Sequence, residues 1–372
     1  MSQDLLTSPL HERHEAAGAK FAEFGGWSMP LEYAGGGVIA EHHAVREQVG
    51  IFDVSHLGKA RVTGEAAIDF LNRCLTNDLH KVGPGKAQYS LLCNESGGVI
   101  DDLICYVNSE QDIFLIPNAA NATTVVQVLQ ERARAEVNDI SVVNQHRDFA
   151  VLAVQGPRAE TLLNQLGLPT AMDYMGFEVV QREGWTMTVC RTGYTGEKGY
   201  ELVVPTEHAL EVWDQVVAAG APMGLRPCGL GARDTLRTEM GYSLHGNDIT
   251  PQINPVEAGL SWAVGWKKTE PFCGSEALRE VKAQGPGRRM RGLLALGRGI
   301  PRHGMQVLDQ AGEVIGEVTS GTFSPTLKQG IAMALVEAGV ELDDEVGVQV
   351  RSRVEAFRVV KPPFLTPGVR EG

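Results

Sequence analysis

The chain has 372 residues, 43% of them apolar and 21% charged, with a formal net charge of −13. At roughly 150 residues per domain, that length fits two or three domains of ordinary globular composition. The acidic balance argues against nucleic acid as a bulk electrostatic partner, and no apolar run approaches the ~20 residues that cross a bilayer.

The N-terminal stretch Met1–Leu6 lacks both the basic region and the long apolar core of a secretory signal, and it lacks the Arg-rich, acid-poor character of an organellar leader. Thr7-Ser8-Pro9 predicts a helix start, with Ser8 as cap and Pro9 in the first turn. Apolar residues at helical spacing predict helices over Gly64–Leu75, Asn121–Ala135, Arg158–Leu166, His208–Ala219 and Ser275–Ala283. Between them, short apolar or alternating runs predict strands at Ala87–Cys93, Val99–Val107, Ile113–Ile116, Phe149–Val154, Met187–Cys190 and Glu201–Val204. Interspersed helices and hairpin-type turns predict an α+β fold rather than a regular parallel sheet. Gln284-Gly285-Pro286-Gly287-Arg288-Arg289 reads as a linker, so a first region over 1–284 gives way to a second over 285–372. In that second region the helical signal fades. Strands expected at Gly292–Leu296, Met305–Leu308, Glu313–Thr319, Gly330–Leu335, Glu345–Val350 and Ala356–Val360 form the pattern of a small antiparallel β-barrel. Six cysteines (Cys74, Cys93, Cys105, Cys190, Cys228, Cys273) occur without a Cys-x-x-Cys, several inside apolar strands, which predicts free thiols in a reducing, cytoplasmic setting.

Chemistry concentrates in a few places. The turn Gly97-Gly98 feeds Asp101 and Asp102 into an otherwise apolar strand. A carboxylate there is costly to bury and marks a partner or a reaction. Adjacent strand residues point to opposite faces, so the two acids are not expected to form a dyad. On a helix over residues 230–241, Arg233 falls amid the apolar stripe of Leu230, Leu236 and Met240, with Arg237 one turn along. A buried arginine needs a carboxylate, either the protein's own or a ligand's, and Glu201 is a candidate partner. The loop Gly193-Tyr194-Thr195-Gly196-Glu197-Lys198-Gly199 lacks the Gly-Lys-Ser/Thr ending of a phosphate loop and precedes a strand. Its glycines instead allow Tyr194 to clasp a flat ring, or simply make a hairpin turn. His42-His43 and His11-x-x-His14 lack further ligands, so no metal site is expected, and no Gly-x-Ser-x-Gly elbow occurs. Arg288-Arg289-Met290-Arg291 is a basic cluster that is either a solvated face or a docking patch.

These segments, with Phe24–Leu31, Glu41–Arg46, Phe52-Asp53-Val54-Ser55-His56, Gly229–Arg237 and Thr319–Leu327, resemble the T-protein family, the aminomethyltransferases of the glycine cleavage system, over almost the whole chain. The resemblance implies a three-domain cloverleaf around a folate-binding opening, with two intertwined α+β domains followed by the barrel. It implies transfer of the methylene of an aminomethyl group from the lipoyl arm of H-protein to tetrahydrofolate, with release of ammonia. It implies Asp101 as the catalytic acid and Glu201 and Arg233 as folate-binding residues, with Tyr89, Asn118, Tyr194 and Tyr242 lining the same pocket. Leu57 stands where methionine is common in the family, and the tail Phe364–Gly368 lacks a tyrosine that some members place near the ligand. The alternatives are a folate-dependent demethylase of the same fold and a non-catalytic folate-binding protein.

Overall fold

The computed structural model describes residues 5–136 and 139–369. Three sheets and a barrel carry the chain. A five-stranded sheet runs in the order Lys86–Cys93, Val99–Ser109, Asp112–Pro117, Ala60–Thr63, Ser141–Asn144. A six-stranded sheet runs Phe177–Gln181, Thr186–Cys190, Gly199–Pro205, Phe149–Gln155, Gly50–Asp53, Arg226–Cys228. The two pack face to face. Ile104 and Tyr106 of the first meet Val151 and Ala153 of the second, while Leu103, Cys105 and Val107 turn the other way onto helices Ala67–Cys74 and Ala122–Glu136. Leu152 and Val154 likewise turn onto helices Ala159–Gln165 and Ala209–Gly220. Strands buried on both faces read as nearly continuous apolar runs, and each large side chain so buried contributes about 1.5–3 kcal/mol.

The C-terminal strands close into a six-stranded barrel, all pairs antiparallel, in the order Arg288–Ala295, Gln329–Glu337, Val314–Ser324, Gln306–Leu308, Glu345–Val350, Arg353–Val360. The first of these begins four residues before the expected Gly292. The basic cluster is therefore barrel strand, with Arg288 paired to Glu257 at 3.1 Å and Arg291 Nε donating to the Val340 carbonyl at 3.1 Å. Two of its three arginines are thus engaged within the chain.

The N-terminus departs most from expectation. The first helix is His11–Ala16, entered through a turn in which Ser8 Oγ accepts the Leu10 N–H at 3.1 Å and the Ser8 carbonyl accepts the His11 N–H at 3.1 Å. The same hydroxyl donates to Asp53 Oδ2, which also takes His14 Nε2 at 2.8 Å, and His14 Nδ1 meets the Tyr33 hydroxyl at 2.9 Å. One hydroxyl thus serves both the local turn and a long-range carboxylate. A small sheet of Leu6–Thr7, Trp27–Tyr33 and Ala19–Phe24 precedes helix Gly37–Glu47, none of it marked by strong periodicity.

Two buried ionic knots tie the barrel to helix Leu230–Glu239. Arg237, 2% exposed, reaches Asp248 at 2.8 Å, Asp234 at 2.7 Å and Ser320 Oγ at 2.8 Å, and Asp248 also accepts from Thr319 Oγ1 at 2.5 Å. Glu239, fully buried, accepts from Arg46 Nη2 at 2.7 Å, Ser324 Oγ at 2.5 Å and Thr326 Oγ1 at 3.1 Å, with His42 Nε2 at 3.4 Å. The Thr319–Leu327 segment singled out in the sequence thus clasps the barrel to helix Leu230–Glu239.

Candidate active site

The Gly97-Gly98 turn explains how an acid enters the sheet. Gly97 has φ +84°, and a Cβ on Gly98 would sit 1.9 Å from the Pro251 carbonyl oxygen, so only glycine allows this approach. Beyond the turn the pairing skips Ile100, because Leu92 faces Asp101 while Cys93 faces Val99. On the other side the ladder starts only at Leu103 opposite Pro117, so the chain leaves its strand at Asn118, beside both acids.

Asp101 is fully buried. Its Oδ2 accepts the Asn118 backbone N–H at 3.0 Å, and its Oδ1 accepts Nδ2 of Asn118 at 3.0 Å and of Asn121 at 2.7 Å. The same Asn118 amide donates to Asp102 Oδ1 at 2.7 Å, and the Tyr89 hydroxyl donates to Asp102 Oδ2 at 3.0 Å. The acids do alternate in face, as expected. At the ladder's end, however, one amide spans both, so they act on each other. Burial, then the charge of Asp102, pushes Asp101 well above the ordinary carboxylate range, and the Asn121 and Asn118 donors oppose this. Burial also raises Asp102. Every hydrogen bond to Asp101 is a donor, which suits a carboxylate. Burial and Asp102 therefore disfavour the ionised form that the donors are arranged to receive, and a cation arriving nearby would favour it.

The sequence leaves open whether Arg233 meets a protein carboxylate or a ligand's, and the two arginines differ in this respect. Arg237 takes the acids, whereas Arg233 Nη1 is buried without a hydrogen-bond partner and its guanidinium lies 4.7 Å from the Tyr194 ring centroid. Burial pulls Arg233 below its ordinary value, while Glu201 and Tyr194 pull the other way. Glu201, 8% exposed and opposite Ala153 and Cys190 in the sheet, accepts Thr192 Oγ1 at 2.5 Å rather than a bond from Arg233. The glycine loop presents Tyr194 stacked on Tyr242 at 5.7 Å, with the Tyr194 hydroxyl donating to the Ser243 carbonyl. Tyr89 stacks on Trp262 at 5.3 Å, and Trp262 is 65% exposed. Tyr89 thus bonds one acid of the pair, and Tyr194 lies against Arg233, whose Nη1 has no hydrogen-bond partner. An orphaned guanidinium N–H and two stacked aromatic pairs fit a flat heteroaromatic ligand with acidic or carbonyl groups.

In a family comparison, residues 10–268 match the GCVT N-terminal domain and residues 288–365 match the glycine cleavage T-protein C-terminal barrel domain. The chain belongs to the glycine cleavage T-protein family. Curated relatives called aminomethyltransferase include one from Parafrankia sp. at 55% identity (99% of this chain, 100% of that protein) and one from Frankia alni at 56% (97% and 98%). A crystal structure of glycine cleavage system aminomethyltransferase T from Bartonella henselae is similar with a TM-score of 0.91 at 37% identity, covering 98% of this chain and 99% of that one.

Within this T-protein family member, sequence reasoning missed Asn121, His245 and His56. His245 donates Nε2–H to the Val99 carbonyl at 3.1 Å and accepts Asn121 Nδ2 at its Nδ1, 2.9 Å away. His56 is 2% exposed, and burial, then the charge of Arg233, pushes it down to about 3. Its neutral ring has a buried Nδ1 without a partner. The Asn118-x-x-Asn121 spacing just after an apolar strand was the available signal for Asn121. His56 and His245 carried none, because only the fold brings them to the site. His14, one half of the sequence pair His11-x-x-His14, is bonded to Asp53 and Tyr33. Among the described residues no group of three or more His, Cys, Asp or Glu is placed to hold a metal, and no helix is long and apolar enough to cross a membrane.

Proposed function

We propose that this chain is the aminomethyltransferase of glycine cleavage, with lipoylated H-protein and tetrahydrofolate as its two partners. The reaction replaces the C–S and C–N bonds of R–S–CH2–NH3⁺ by bonds from that carbon to N5 and N10 of the folate. The two folate N–H protons end on the released dihydrolipoyl sulfur and on ammonia, giving R–SH, NH4⁺ and 5,10-methylenetetrahydrofolate.

Asp101 is the catalytic residue in this reading. Its buried carboxylate, preorganised by three N–H donors, stabilises the cationic carbon that develops as ammonia departs and orients the folate near N10. A positioned acid or base of this kind contributes about 10²–10⁴-fold in rate. Arg233 and Glu201 bind polar groups of the folate, and Tyr89, Asn118, Tyr194 and Tyr242 form its walls. Glu201 Oε1 has no protein hydrogen bond among the described contacts, which leaves it to accept ring N–H donors. We place the domain boundary after Gln284, where helix Ser275–Gln284 ends three residues before the barrel strand.

The single observation that supports this reading best is the Asp101 carboxylate, fully buried and held only by donors. The test is ammonia release from aminomethylated H-protein with and without tetrahydrofolate. Folate-stimulated release yielding methylenetetrahydrofolate is expected. Folate binding without ammonia release would refute the reading in favour of a demethylase or a binding protein.

A further inference from the structure

We infer that His245 is a positioning residue for Asp101, acting through the side-chain amide of Asn121. The inference rests on the catalytic reading of Asp101 given above.

The hydrogen-bond directions are forced by chemistry. The Val99 carbonyl can only accept, so His245 Nε2, 3.1 Å away, carries the proton. While the ring is neutral, Nδ1 is then an acceptor. Its partner at 2.9 Å is Asn121 Nδ2, whose second hydrogen goes to Asp101 Oδ1 at 2.7 Å. Both hydrogens of that amide are used, one on the imidazole and one on the carboxylate. Asn nitrogen and oxygen occupy equivalent positions, so the partners of the amide decide its orientation. An inverted Asn121 would aim its oxygen at Asp101 and replace a donor by a like-charged neighbour. His245 Nδ1 adds a second acceptor that holds the amide in the productive orientation, because the inverted oxygen would face a lone pair there as well as the carboxylate. Val99, whose carbonyl anchors the imidazole, is two residues before Asp101 on the same strand, so the acid and its orienting ring share one rigid element.

The titratable groups facing this cluster are Asp102 on the same strand, Tyr89 on the neighbouring strand, Tyr194 on the glycine loop and His245 itself. Losing one donor disfavours the ionised acid, so the pH below which Asp101 loses its charge moves upward.

The test compares His245→Leu, which removes the acceptor, with His245→Asn, whose side-chain oxygen replaces Nδ1 while the Val99 anchor is given up. In the holoenzyme assay with aminomethylated H-protein and tetrahydrofolate, His245→Leu is expected to lower kcat about tenfold with little change in KM for folate. Its acid limb should move to higher pH, and His245→Asn should recover most of kcat. Asn121→Ala should match His245→Leu, and the double variant should be no worse than either single one. Wild-type kcat and pH profile in His245→Leu would overturn the inference, as would equal losses in the Leu and Asn variants. If His245→Leu does not fold, 15N NMR of histidine-labelled wild-type protein decides. An Nε2–H tautomer with unprotonated Nδ1 supports the inference, and an Nδ1–H tautomer overturns it. Asp101→Asn keeps the two claims apart: full turnover in that variant would defeat the catalytic reading itself, whereas a loss there with a silent His245 defeats only this inference.

Discussion

Replacing Glu239 by Gln is expected to loosen the clasp between helix Leu230–Glu239 and the barrel, and to do so less in acid than at neutrality. Glu239 accepts from Arg46, Ser324 and Thr326, and the loss of such charge-assisted bonds costs ~1.5–3 kcal/mol. Arg46 keeps Glu197 at 2.8 Å and the Thr195 carbonyl at 2.7 Å, so the cost stays below the ~3–5 kcal/mol of stranding a buried charge. About 2 kcal/mol at pH 7 is the expected result. Burial alone would raise the Glu239 carboxyl, but His42, Arg46 and Ser324 outweigh it and hold it at about 2, against an ordinary 4.5. A carboxylate depressed in the native state stabilises fully above its unfolded pKa and loses that contribution as pH falls through the folded one. Wild type therefore loses about 0.8 kcal/mol of this contribution by pH 4 and about 2 kcal/mol by pH 3. His42 is itself pushed below its ordinary value, chiefly by burial, and is uncharged near neutrality, so these losses are ceilings and Arg46 supplies the lasting positive charge. Urea unfolding followed by tryptophan fluorescence, at pH 7 and pH 4, measures the gap between wild type and Glu239→Gln. The gap should narrow in acid. A gap that stays constant or widens would refute the assigned role of the carboxylate.

Asp101→Asn should keep folate binding but lower turnover at least about tenfold, a barrier increase of roughly 1.4 kcal/mol or more, and wild-type turnover would remove Asp101 from catalysis. Arg233→Met should weaken tetrahydrofolate affinity measured by calorimetry, and unchanged affinity would make Arg233 a structural residue. Gly98→Ala drives a Cβ to 1.9 Å from the Pro251 oxygen, so a lower Tm by an overpacking cost of about 1–3 kcal/mol is expected; an unshifted Tm would show that the turn relaxes freely.

The sequence by itself determined the elements whose periodicity matches their burial. Strands Val99–Ser109 and Phe149–Gln155 carry mostly apolar runs because both of their faces are covered, and the barrel strands are legible through turns at regular spacing. It also marked Asp101 and Arg233, because a charge within an apolar pattern is conspicuous in one dimension. Only the tertiary structure decided which arginine keeps its own acids, since Asp248 and Ser320 reach Arg237 from 11 and 83 residues away along the chain. It alone joined Ser8 and His14 to Asp53 and Tyr33 to His14, and set His245 beside Asn121 across 124 residues. Polar partnerships of that kind leave no periodic trace. A hydrogen bond is specified by the position of two atoms, and that position exists only once the apolar cores have fixed the backbones that carry them.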